Sequence, residues 1–158
     1  MRRTDRQVTD LTEIAAILNR CDTIRLGLQG EEYPYVVPLS FGWEMVDGTI
    51  YIYFHGAKEG WKHDLIAKNN RVCVEADRFI CYAGDENSAT TRYESIIGFG
   101  TVAVCDYETS IRGIELLMAH CGFPGYRGDQ CIRKGHTKVY RITLNTVTGK
   151  RSKGAEPG

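Results

Sequence analysis

Residues 49–74 read TIYIYFHGAKEGWKHDLIAKNNRVCV, and this stretch decides the fold. It opens with Ile50-Tyr51-Ile52-Tyr53-Phe54, a β-branched and aromatic run that predicts a strand. The run breaks at His55-Gly56-Ala57-Lys58-Glu59-Gly60. Helix formers follow from Trp61 to Lys68, and Val72-Cys73-Val74 returns to strand. A strand that passes through a glycine-containing basic turn into a helix start is a place where an anion can sit. The first N–H groups of the helix and the positive end of its dipole point there, and Lys58 and Lys62 add charge. A solvated lysine face has the same spacing, so the pattern alone leaves a phosphate group and a bare basic surface both open.

Outward from that stretch, the composition sets bounds. The chain has 158 residues, most simply one domain with a real core, with 42% hydrophobic and 25% charged residues. Lys+Arg and Asp+Glu are 20 each, so no global field recruits nucleic acid or an anionic membrane. The longest apolar runs fall short of a membrane span. The start, MRRTDRQVTD, is charged with no apolar segment behind it, unlike a secretory signal, and the expected compartment is the cytoplasm. Six cysteines show no CxxC spacing, and Cys73 and Cys105 sit in apolar runs, which predicts reduced, buried thiols.

Toward the N-terminus, Asp10 is placed to cap a helix in which Leu11, Ile14, Ala15 and Leu18 form one apolar face. Glu13 stands where a capping-box acid reaches back. Thr23 to Leu28 alternates as a half-buried strand. Tyr33 to Trp43 reads as another strand, with Pro34 and Pro38 requiring an edge or a bulge. Asp47-Gly48 signals a type I′ hairpin into the organising stretch.

Toward the C-terminus, residues 84–92 (GDENSATTR) offer nothing to a core and read as a polar loop. Tyr93 to Cys105 is a strand that needs a bend, expected at Gly98 and Gly100. Tyr107 to Ala119 is an amphipathic helix, 121–135 a glycine-rich connection and Lys138 to Leu144 a last strand. The domain is set at 1–150, with 151–158 as a loose tail. About six strands joined mostly by hairpins, with three flanking helices, predict a mainly antiparallel barrel of the α+β class.

PYVVPLSFGWE, the Asp-Gly hairpin, YFHGAKEGWKHDLIAKNNRV and YESIIGFG together resemble the flavin-binding split-barrel proteins of the pyridoxamine 5′-phosphate oxidase-like superfamily. More narrowly they resemble its nitroimidazole-resistance (Nim-type) branch, over roughly residues 5–150. The resemblance implies a six-stranded antiparallel split β-barrel that dimerises with two flavin mononucleotides (FMN) at the subunit interface. Carried over residue by residue, it implies that Val37, Pro38, Leu39, Ser40 and Phe41 line the isoalloxazine, largely through backbone groups. His55, Gly56 and Ala57 follow the ribityl chain or ring edge, with His55 as the candidate catalytic proton donor. Lys58, Gly60, Trp61 and Lys62 surround the phosphate, and Ser95 and Ile96 reach the cofactor from a further strand. Relatives often hold an Arg-Lys or Lys-Lys pair where this chain has Trp61-Lys62. An indole gives one N–H and no bidentate fork, so phosphate binding must lean on Lys62, Lys58 and backbone N–H groups.

The resemblance implies an oxidoreductase that passes electrons from a nicotinamide donor to a small planar acceptor such as a nitro-aromatic. Alternatives on the same fold are a non-catalytic flavin or haem binder, the latter needing a histidine such as His120 or His136, and a deazaflavin-dependent reductase. His120, Cys121, Cys131 and His136 match no compact zinc spacing, and no metal is expected. Ser40 and Ser95 have no base and acid partner in the pattern, which argues against hydrolysis.

Overall fold

The computed structural model describes residues 3–155. A short 3₁₀ turn at Thr4–Arg6 precedes β1 (Gln7–Val8) and α1 (Leu11–Arg20). β2 (Ile24–Leu28), β3 (Tyr35–Leu39), β4 (Gly42–Val46) and β5 (Thr49–Gly56) lead to α2 (Trp61–Lys68). β6 (Arg71–Asp85) and β7 (Ser88–Val104) form a long hairpin. α3 (Tyr107–His120), α4 (Gly128–Arg133) and β8 (Lys138–Arg151) complete the chain.

All paired strands are antiparallel, in the order β3-β2-β6-β7-β8-β5-β4, with β1 added to the far end of β8. The two edges of this path, β3 and β4, are consecutive in the chain and joined only by Ser40-Phe41. The sheet must therefore curl until its edges meet, yet no ladder closes the seam. The result is a split barrel with flanking helices, as expected from the sequence.

The strand count differs from six, for two reasons. The Tyr33–Trp43 strand divides at Ser40-Phe41, where the chain crosses the seam, and Gln7–Val8 pairs with Lys150 and Gly149. Pro38 lies on β3, whose outer side has no partner strand, so its missing N–H costs nothing.

Inward side chains Ile24, Leu26, Phe41, Ile52, Phe54, Val74, Ile96 and Ile142 are fully buried and fill the barrel. α1 adds Ile14, Ile17 and Leu18, and α2 adds Leu65 and Ile66. α1 starts as expected, with the Glu13 N–H donating to Asp10 Oδ1 at 3.0 Å, but the Glu13 side chain does not reach back and instead takes Arg151. α3 is capped in the same way by Asp106 and lies so close to β4 that a Cβ on Gly42 would fall 2.3 Å from the Leu117 nitrogen. The Asp47-Gly48 turn has φ of 49° and 76°, as a type I′ hairpin demands.

Three expectations are corrected. The polar 84–92 segment is not a loop: β6 and β7 pair through it as far as Asp85 and Ser88, and Asp85 Oδ1 accepts from the Asn87 and Ser88 N–H groups to close the turn. Its composition describes a two-stranded ribbon with solvent on both faces. The 121–135 connection contains the six-residue helix α4. β8 does not stop at Leu144 but continues to Arg151, because the register shift opposite Phe99/Gly100 absorbs Asn145 and pairing then resumes. Part of the expected loose tail is thus ordered: Ser152 Oγ accepts from the Tyr93 N–H and Ala155 is buried. Residues 156–158 of that tail lie outside the described residues. The expected bend at Gly98 and Gly100 coincides with this shift.

The cysteines form no disulfide. Cys73 and Cys105, expected to be buried, are half-buried; Cys21 is buried, and Cys81 and Cys121 are exposed, on the ribbon and after α3. No described helix is long and apolar enough to cross a membrane.

Candidate functional site

The seam and the start of α2 come together through one contact. Tyr35, the first residue of β3, packs its ring against the Trp61 indole at the first position of α2, with centroids 4.6 Å apart. Trp61 remains 58% exposed, so the contact covers one side of the indole and leaves the other open. Between them lies the 56–60 turn. Gly60 enters the helix with φ of 135°, a conformation that glycine alone takes without strain. Its carbonyl accepts from the His63 and Asp64 N–H groups, and no side chain caps the helix start, whereas α1 and α3 each have an aspartate there. The first N–H groups of α2 are left to water or a ligand.

Charge gathers at the same place. Lys62 is partly buried, with its ammonium 5.3 Å from the centroid of the Phe54 ring. Burial lowers its pKa, and no carboxylate acts against that shift. His55 stays exposed, but crowding by neighbouring atoms and then the Lys62 charge lower its pKa as well. At neutral pH its imidazole is therefore neutral, with one donor and one acceptor nitrogen. Lys58, Ala57 and Gly60 are exposed along the turn. Lys62 and Lys58 form no salt bridge with Glu59 or Asp64 in the same turn, and cationic groups beside free helix N–H groups are an arrangement that suits an anion.

The other expected residues divide. On β3, Pro38 is exposed, Val37 and Leu39 are half-buried against the core, and Ser40 is exposed at the seam. The backbone of this edge strand is free on one side, as a ring-lining role requires. Phe41 points inward instead. It is fully buried and packs on the His120 ring at 4.4 Å, so its side chain is core. Ser95 and Ile96 lie on β7, three strands from β3 along the sheet. Ile96 is buried in the barrel while Ser95 faces out, because neighbours on a strand alternate. The chain by itself does not bring these two to the α2 turn.

His63 and Tyr140 are absent from the sequence expectations and belong to the site. The His63 Nδ1 and the Tyr140 hydroxyl are 2.6 Å apart, and Phe54, Tyr140 and His63 stack in series. Their positions differ by 77, so no local spacing could reveal the pair. Of the two histidines of the haem alternative, His120 is engaged elsewhere, donating from Nε2 to the Cys21 carbonyl at 2.8 Å, and His136 is exposed between α4 and β8.

A separate cleft of about 510 Å3 opens on the outer face of β6, β7 and β8, lined by Arg71, Val72, Phe99, Gly100, Thr101 and Asn145. Its lining is mostly apolar and holds one titratable residue, Arg71, and no cluster of them. The cleft is part of an exposed apolar face that includes Ile97 and Phe99, 44% and 57% exposed.

A family profile described as pyridoxamine 5′-phosphate oxidase matches residues 10–151. No curated protein matches the chain. Among solved structures, a candidate 5-nitroimidazole antibiotic resistance protein from Bacteroides thetaiotaomicron VPI-5482 is 27% identical with a TM-score of 0.79, over 91% of this chain and 85% of that one. The FAD and haem binding protein from Mycobacterium smegmatis is 18% identical with a TM-score of 0.76, over 94% and 74%. An FAD-binding protein from Mesorhizobium loti is 20% identical with a TM-score of 0.67, over 94% and 98%. The last two likenesses establish a shared fold.

Proposed function

Because the chain belongs to the pyridoxamine 5′-phosphate oxidase family and resembles its nitroimidazole-resistance branch, we propose that it is an FMN-binding homodimeric oxidoreductase. In this reading it reduces a small planar acceptor of the nitro-aromatic type with electrons from a nicotinamide donor. The observation that carries the proposal is the uncapped start of α2 beside Lys62, joined through Trp61 and Tyr35 to the free edge of β3. A flavin mononucleotide has an anion at one end and a flat ring rimmed with hydrogen-bonding groups at the other. The turn suits the first and the edge backbone of β3 the second, so the residues present fit the group.

Bound flavin supplies hydride and one-electron chemistry. The chain's own residues do the rest. Lys62 and Lys58 neutralise the phosphate, and Trp61 walls one side of the site. His55, neutral at pH 7, holds one donor and one acceptor nitrogen toward the ring edge or substrate. Ser95 enters from a second copy: the outward face of β7 that bears Ser95, Ile97 and Phe99 is apolar, exposed and remote from the turn of its own chain. Burying it against another protomer would carry that strand to the partner's seam.

The test is an absorption spectrum of the purified protein, followed by anaerobic NADH and NADPH. Flavin bands that bleach with either donor support the oxidoreductase. Flavin that neither donor bleaches leaves a binder, and protein that takes up no added FMN overturns the proposal.

A further inference from the structure

We propose that His63 is a second ligand to the flavin phosphate, with its donor nitrogen fixed by Tyr140. The inference rests on the flavin reading above and assigns residues which that reading does not use.

Tyr140 is 2% exposed, so its hydroxyl proton must find an acceptor inside the protein. His63 Nδ1, 2.6 Å away, is the acceptor at hand. If Nδ1 carried the proton and donated to the phenol, the phenol hydrogen would be left buried and unpaired, at a cost of about 1–3 kcal/mol. The hydroxyl therefore donates to Nδ1, and in a neutral imidazole the proton then sits on Nε2. The stacking of Tyr140 on Phe54 and of His63 on Tyr140 holds the ring in that orientation.

The His63 ring lies beside Lys62 at the turn, with Cε1 and Nε2 both near Gly56. A Cβ placed on Gly56 would lie 3.0 Å from Lys62 Nζ and 3.5 Å from His63 Nε2. Both groups therefore lie over the Gly56 backbone, in the turn that leads to the free N–H groups of α2. A side chain at position 56 would crowd both of them. The imidazole contributes as a neutral donor. Burial, then the charges of Lys62 and Lys138, lower its pKa, with Asp64 opposing them. A neutral N–H beside an ammonium adds a hydrogen bond without adding a third positive charge to a partly buried cluster.

The experiment compares FMN with riboflavin, which lacks the phosphate, by titrating protein freed of flavin. The wild type is expected to favour FMN. His63→Ala lowers FMN affinity roughly tenfold, the weight of a hydrogen bond to a charged group, and leaves riboflavin affinity unchanged. Tyr140→Phe keeps the stack, removes the hydroxyl and costs FMN a few-fold. Imidazole 15N shifts, which a merely structural role would not constrain, show Nε2–H in the wild type and mixed tautomers in Tyr140→Phe. Two results overturn the inference while sparing the flavin reading: a His63→Ala protein that keeps its FMN preference when Lys62→Ala loses it, or a wild-type His63 protonated on Nδ1. A wild type that binds neither flavin overturns both. The tautomer measurement needs no variant, so the inference stays testable if His63→Ala fails to fold.

Discussion

The Trp61 indole rests on the Tyr35 ring with centroids 4.6 Å apart, and this contact ties the start of α2 to the free edge of the sheet. Everything assigned to the site lies on either side of it. The phosphate end is built from α2 and the 56–60 turn, and the ring end from the β3 backbone. The indole spans the gap but cannot grip a phosphate with two parallel hydrogen bonds, as an arginine would.

Trp61→Arg therefore restores a bidentate donor at the cost of one aromatic contact. We expect FMN to bind several-fold tighter with riboflavin unchanged, measured by fluorescence titration. Because Trp61 is 58% exposed, the stability change should stay within about 1 kcal/mol.

Lys62→Ala removes the partly buried ammonium. FMN affinity should fall about 10- to 30-fold, and the salt dependence of binding should weaken because one screened charge interaction is lost. Riboflavin affinity should barely move. Equal losses for both ligands would place Lys62 away from the phosphate.

A stability test concerns Glu94, which is fully buried and receives paired hydrogen bonds from Arg20 and a further one from Arg151. Burial pushes its pKa up, but the two guanidinium groups outweigh burial and hold it below the usual carboxylate value. A depressed folded-state pKa stabilises the protein above the unfolded value near 4.3, and that stability is lost as pH falls through the folded value. Urea midpoints should drop below about pH 4. Glu94→Gln, which leaves Arg20 and Arg151 without their anion, should cost about 3–5 kcal/mol at pH 7 and flatten that acid limb.

Phe99→Lys puts a charge on the exposed apolar face of β7. Sedimentation should show a dimer for the wild type and a monomer for the variant. The variant should also lose flavin affinity if the partner's β7 completes the site. A variant that remains dimeric would move the interface elsewhere.

The sequence made local chemistry legible and long-range pairing much less so. Asp10, Asp47-Gly48 and the strand-turn-helix order of residues 49–74 each act within a few positions, and all three appear as read. The polar 84–92 ribbon was opaque because composition reports burial, whereas the pairing of Asp85 with Ser88 needs only backbone hydrogen bonds. β8 was cut short because Asn145 breaks its alternation at the register shift. In the site, the basic turn is legible, while the inward burial of the Phe41 side chain is not, because a residue at a seam can turn either way. His63 and Tyr140 meet only once β8 has paired with β5, which brings Lys138 opposite Gly56.

The most direct measurement is a crystal structure of the protein with FMN. The account predicts the phosphate within about 3 Å of Lys62 Nζ and of the first N–H groups of α2, with the ring along β3. A flavin seated in the Phe99 cleft with the α2 turn unliganded would contradict it.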